Sequence, residues 1–116
     1  MARTVLIVDD HPSFRASARM LLEAEGYRVV GEAEDGAAAI RSVPELRPEV
    51  VLLDVQLPDI DGLEVAARLI ANGATPAIVL TSSRDPDDLG PVSGRVSGFI
   101  PKSELSGAAL EALLAP

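Results

Sequence analysis

A chain of 116 residues is the size of one ordinary domain and can close a single hydrophobic core around a sheet or a bundle. Apolar residues make up 47% of it but aromatics only 3%, so the core must be built from Val, Leu, Ile and Ala, as suits a buried parallel sheet. The formal charge is −8 and the pI is near 4.5, with no Lys/Arg cluster to track a phosphate backbone, so the chain by itself is not expected to bind nucleic acid.

The first apolar run, Val5 to Val8, is short, β-branched and without polar alternation, which predicts a strand buried on both faces. Pro12 then opens a helix with Phe14, Ala18, Leu21 and Leu22 on one face and Arg15 and Arg19 turned elsewhere. Gly26 turns the chain into a second strand around Val29-Val30, within Tyr27 to Glu32. After Gly36, the spacing of Ala37, Ile40 and Val43 predicts a second helix, and Val50 to Leu53 a third buried strand. Asp61 is placed to cap a third helix, with Glu64 completing a capping box and Leu63, Ala66, Leu69 and Ile70 facing inward. Gly73 and Pro76 lead into a fourth strand, Ala77 to Leu80.

Between Arg84 and Val96, Gly90, Pro91 and Gly94 interrupt any helix after about one turn, so the fourth helix is expected to be short or irregular. A weaker fifth strand, Gly98 to Ile100, is followed by a last helix from about Glu104 to Leu114, with Ser103 as its cap. Five strands alternating with helices over short links imply right-handed crossovers, a mostly parallel sheet and helices on both faces. No linker or repeat divides the chain, so residues 1–116 are read as one domain.

In such sheets, functional residues gather outside the carboxyl ends of the strands. There the first strand delivers Asp9 and Asp10, the third Asp54, the fourth Thr81 and Ser82, and the fifth leads to Lys102, the one lysine among ten basic residues. Three carboxylates within about 4 Å repel by about 4 kcal/mol per pair at an effective dielectric of 20, so a cation belongs among them. With no cysteine and a single histidine, any metal is expected to be held by oxygens, and Mg²⁺ suits one or two carboxylates plus a phosphate oxygen. No apolar run approaches the roughly 18 residues that span a bilayer, and Val5 to Val8 is too short for a signal-peptide core, so a soluble cytoplasmic protein without membrane contact is expected.

Asp9-Asp10 after an apolar strand, Asp54 ending the third, Pro58 and Gly62 beyond it, Thr81 and Lys102 together resemble the receiver domain of two-component response regulators over essentially the whole chain. The segments VDDHPSFR and VVGEAEDGAAAI further resemble receivers of the LuxR/NarL type, whose members usually carry a helix-turn-helix after the receiver. The resemblance implies a flavodoxin-like (βα)5 three-layer sandwich with a five-stranded parallel sheet in the order 2-1-3-4-5.

It also implies that Asp54 accepts a phosphoryl group from a sensor histidine kinase, and that Asp9, Asp10, Asp54 and the backbone carbonyl of Gln56 hold Mg²⁺, with Mn²⁺ as a substitute. Lys102 would contact a phosphoryl oxygen, Thr81 would move toward the phosphoryl group, and Phe99 would swing inward behind it. The readout face would be the fourth helix, fifth strand and last helix. Gln56 and Ser83 stand where hydrolysis is tuned in the family. Homodimerisation on phosphorylation and a C-terminal helix-turn-helix domain absent from this chain are further implied partners, with transcription as the output. Such a domain catalyses its own phosphorylation and dephosphorylation and turns over no separate substrate.

Ser103 follows Lys102 where many receivers have proline, and the interrupted fourth helix lies on the output face. A phosphorylation-independent pseudo-receiver, acting as an interaction module, is therefore the competing reading. A haloacid-dehalogenase-type phosphatase also uses a strand-end aspartate, but it wants a second aspartate where Gln56 stands. His11 is read as bordering the acidic pocket or lying in solvent, not as a phosphotransfer residue.

Overall fold

In the computed structural model, residues 3–73, 76–83 and 96–114 are described. The elements are β1 (Thr4–Val8), α1 (Pro12–Ala24), β2 (Arg28–Ala33), α2 (Gly36–Leu46), β3 (Val50–Asp54), α3 (Gly62–Ala71), β4 (Ala77–Ser82), β5 (Gly98–Pro101) and α4 (Gly107–Leu114), with a 3-10 turn at Lys102–Glu104. The strands form one parallel sheet in the order β2-β1-β3-β4-β5, the predicted flavodoxin-like topology. The interrupted stretch expected to hold the fourth helix lies outside the described residues except for Val96.

The pleat divides the core in two. Leu6, Val8, Val51, Leu53, Ile78 and Leu80 point to one face and pack with Ala39 and Val43 of α2 and Val65, Ala66 and Leu69 of α3. Val5, Ile7, Val50, Leu52, Val79 and Ile100 point to the other and pack with Ala18 and Leu22 of α1 and Leu110 of α4. Strands that bury both faces need the unbroken apolar runs seen in the sequence. At the sheet edge the β1–β2 pairing slips between Val5 and Leu6, because Val29 and Gly31 are their partners and Val30 is left over as a bulge.

Several local expectations are corrected. The inward line of α2 runs through Gly36, Ala39 and Val43, not Ala37, because a run of alanines leaves the helical phase open until packing sets it. The last helix begins at Gly107 rather than near Glu104, and Ser106 Oγ, not Ser103, accepts from the Ala109 N–H at 2.9 Å. Residues 102–104 are spent on the 3-10 turn after β5. Asp61 caps α3 through the Leu63 N–H at 2.7 Å, while Glu64 pairs forward with Arg68 at 3.3 Å instead of closing a capping box. A cap absent from the sequence reading is Asp35, which accepts from the Ala38 N–H at 2.8 Å and opens α2.

At the opposite end of the sheet from the carboxyl termini, Tyr27 ties α4 to the turn before β2. Its hydroxyl donates to Glu111 Oε2 at 2.7 Å, and Arg3 Nη2 meets Glu111 Oε1 at 3.2 Å. Burial, reinforced by the Glu111 carboxylate, pushes the Tyr27 phenol from 10.0 up to about 12. The unfolded chain therefore loses this proton first, so the stabilisation is complete below pH 10.0 and falls as pH rises toward about 12. Tyr27→Phe is expected to lower the urea midpoint at neutral pH and to converge on wild type across that alkaline window.

Candidate functional site

Asp9, Asp54, Thr81 and Ser82 are the buried polar side chains among the described residues, and all four stand at or just beyond the carboxyl ends of β1, β3 and β4. Parallel register sets Asp54 beside Thr81, and β1 pairs with β3 up to Val8 and Leu53. The topological switch point therefore collects the carboxylates without any long connection.

Asp54 has a partner for each oxygen. Oδ1 accepts from the Gln56 N–H at 3.0 Å, and Oδ2 accepts from Lys102 Nζ at 3.2 Å. Lys102 Nζ also lies 2.6 Å from Asp9 Oδ2 and 4.7 Å from the centroid of the Phe14 ring. The 3-10 turn after β5 thus carries the ammonium between the two buried carboxylates, over an aromatic face that favours a cation. Asp9 is fixed from three sides. Its backbone N–H donates to Ala33 O at 3.0 Å, its carbonyl accepts from Arg15 Nη1 at 2.7 Å, and its Oδ1 accepts from the His11 N–H at 2.8 Å. Arg15 and Arg19 are themselves held by Glu32, at 3.0 and 2.8 Å.

Burial raises the Asp54 carboxyl above its usual range; the Gln56 N–H opposes this, the Asp9 charge adds to it, and Lys102 partly counters it. Burial alone would lower the Lys102 ammonium, but its contact with Asp9 and the charge of Asp54 outweigh that and leave it above 10.5. Lys102 is therefore charged at neutral pH.

One ammonium does not balance three carboxylates. Asp10 Oδ1 and Thr81 Oγ1 are buried atoms that make no hydrogen bond, and Asp9 Oδ2 has its ion pair with Lys102 alone. Oxygens and excess negative charge of this kind suit a divalent cation better than an empty site. One ligand atom from each of Asp9, Asp10, His11 and Asp54 lies within 4.8 Å of the others, so the set fits a metal.

The surrounding loops are shaped by two close approaches. A Cβ at Gly62 would run into the backbone carbonyl oxygen of Asp54 and stand 2.7 Å from Val55 Cα, and the Gly62 N–H donates to Val55 O at 2.7 Å. Asp59, five residues past Asp54, accepts from the Gly36 and Ala37 N–H groups at 2.8 and 3.0 Å and thereby joins this loop to the start of α2. Those bonds, the Gly36 one foremost, hold the Asp59 carboxyl below its usual range.

The structure thus brings together Asp9, Asp10, Asp54, Thr81 and Lys102. Gln56 contributes its N–H and has an exposed side chain, and Ser83 is exposed one residue past β4. Phe99 is half-buried beside Leu80 and packs with the α2 and α3 cluster. Two neighbours were missed in sequence, Phe14, visible only as helix core, and Arg15, visible only as an outward residue, whereas His11 borders the acidic pocket, one of the two places expected for it. Nothing in the pattern marks the first two as neighbours of the site.

The receiver domain of response regulators is the family that matches this chain, over residues 5–113, and the chain belongs to it. The DNA-binding response regulator MtrA of Mycolicibacterium smegmatis is 39% identical over 100 residues, which are 84% of this chain and 42% of that protein. A LuxR-family two-component response regulator from Aurantimonas sp. is 29% identical with a TM-score of 0.83, over 99% of this chain and 86% of that one. A CheY-like receiver domain from Methylobacillus flagellatus gives 0.85 at 26% identity, over 98% and 97%. The chain spans about half or less of the length of the curated relatives it matches. No helix among the described residues is long and apolar enough to cross a membrane.

Proposed function

We propose that this domain, in the cytoplasm, accepts a phosphoryl group from a sensor histidine kinase onto Asp54 in a Mg²⁺-dependent reaction and thereby controls a transcriptional output. The observation that carries this reading is the placement of Asp54. It is 2% exposed, ends a central strand, is oriented through both oxygens, and lies beside two more carboxylates and the lysine.

The Asp54 carboxylate attacks phosphorus, an O–P bond forms, and the P–N bond to the kinase imidazole breaks with its electron pair leaving on nitrogen. Because the nucleophile is an anion, no general base is needed. Asp9, Asp10, Asp54 and the backbone carbonyl of Gln56 would hold the cation. Bound Mg²⁺, or Mn²⁺ in its place, supplies neutralisation of charge on the phosphoryl oxygens. Lys102 exchanges its contact with Asp54 for a phosphoryl oxygen, as a point charge. The unpartnered Thr81 hydroxyl donates to another, and Phe99 follows inward to bias the β5 and α4 surface toward an output domain, a DNA-binding partner or a second receiver. Gln56 and Ser83, both exposed, would tune hydrolysis of the acyl phosphate.

Intact mass after incubation with Mg²⁺ and a small acyl phosphate tests the reading. Wild type is expected to gain one phosphoryl group, while Asp54→Asn, and wild type in a chelator, gain none. A wild type that takes up no phosphoryl mass leaves the pseudo-receiver reading in its place.

A further inference from the structure

An α-helix leaves its first four N–H groups without partners inside itself, and its own N-cap meets some of them. At α2 the work is divided between two loops. Asp35, the N-cap, takes the Ala38 N–H on its side chain at 2.8 Å and the Ala39 N–H on its carbonyl at 3.1 Å. The Gly36 and Ala37 N–H groups go to the two carboxylate oxygens of Asp59, which stands on the loop after β3. Gly36 permits this approach, because a Cβ there would lie 3.2 Å from Ile60 Cβ and 3.3 Å from Asp59 Oδ1. The helix does not need Asp59 for both bonds: the one to Ala37 is exposed, and water can meet an N–H there.

The loop gains more from the tie than the helix does. Residues 55–61 leave β3 directly after Asp54, and the bonds from Val55 N–H to Thr81 O at 2.9 Å and from Gly62 N–H to Val55 O at 2.7 Å fix the base of the loop. Between these points Pro58 has no N–H to give, and Asp59 fastens the middle to α2. On the same loop the Gln56 N–H donates to Asp54 Oδ1 at 3.0 Å and sets the rotation of that carboxylate. We infer that Asp59 is a positioning residue for phosphoryl transfer to Asp54, acting through the loop to hold the Gln56 N–H on Oδ1. The inference rests on the phosphoacceptor reading above. Asp59 touches no reacting atom; its effect lies in the orientation of the nucleophile and not in the encounter with the donor.

The test compares Asp59→Ala with Asp35→Ala, which removes a cap from the same helix and leaves the loop tie in place. Uptake is followed by intact mass in excess Mg²⁺ over a range of small acyl phosphate concentrations, and exchange of the Gln56 amide by NMR in the unphosphorylated chain. Asp59→Ala is expected to lower the maximal rate of uptake by about tenfold, with the half-saturating donor concentration unchanged. It is also expected to speed exchange of the Gln56 amide, whereas Asp35→Ala lowers the melting temperature and leaves the maximal rate and the Gln56 exchange as in wild type. If Asp59→Ala does not fold, Asp59→Asn takes its place, with a smaller slowing expected because one acceptor oxygen remains. A wild-type rate in the Asp59 variant, or equal slowing in Asp35→Ala, overturns the inference while the phosphoacceptor reading stands. A wild type that takes up no phosphoryl group overturns both.

Discussion

Lys102→Met is expected to destabilise the metal-free domain by about 3 to 5 kcal/mol at pH 7, as removal of one partner from a buried ion pair does. The lysine touches Asp9 at 2.6 Å and Asp54 at 3.2 Å, and both carboxylates are buried. Methionine keeps the stem against Phe14 and removes only the charge. With the ammonium gone, the Asp54 carboxyl, already raised by burial, rises further, and the folded state holds a proton that the unfolded chain has lost. Stability of the variant then falls as pH rises above the ordinary carboxyl range, so the gap to wild type should widen between about pH 4 and pH 7. Urea unfolding in a chelator at several pH values measures this. A gap that is constant across the range would mean that the lysine contributes packing and not charge. Added Mg²⁺ should restore part of the loss by replacing the missing cation.

Gly62→Ala is expected to cost about 3 kcal/mol or more, an unusually large effect for one methyl group. The methyl would meet the backbone carbonyl of Asp54 and the Cα of Val55, neither of which can rotate away as a side chain would. Relief requires moving the loop after β3, which breaks the Gly62–Val55 hydrogen bond and displaces the Gln56 N–H from Asp54. The variant should therefore lose phosphoryl uptake faster than it loses helix content. Far-ultraviolet dichroism beside the mass assay separates the two. Full uptake in a folded Gly62→Ala would show that the loop is not held as tightly as the contact demands.

Much of this arrangement is legible in the sequence because both faces of the strands are buried. Val5 to Val8 and Val50 to Leu53 have to be continuous apolar runs, and a strand that ends such a run in Asp9 or Asp54 announces a buried carboxylate. The predicted convergence of Asp9, Asp10, Asp54, Thr81 and Lys102 follows from strand direction alone. What pattern cannot carry is phase and aim. Three alanines in a row do not say that Ala39 rather than Ala37 faces the sheet. Ser103 and Ser106 are equally good caps in isolation, and the choice falls to Ser106 because the preceding residues must first turn Lys102 back over β1 and β3. His11 next to two aspartates is as compatible with solvent as with the pocket. Only the backbone geometry at the start of α1 turns its Nδ1 onto both carboxylates.

The bulge at Val30 matters beyond register. β2 is the terminal strand of the sheet, and an uncovered strand of regular pleat offers its free N–H and C=O groups as a template to any other extended chain. One extra residue interrupts that repeat midway, and the exposed Arg28 and Glu32 flank the interruption with opposite charges. Such an interruption makes the edge a poorer template for pairing between copies, which favours solubility. Trimming the bulge by deleting Val30 would trade that solubility for a straighter edge.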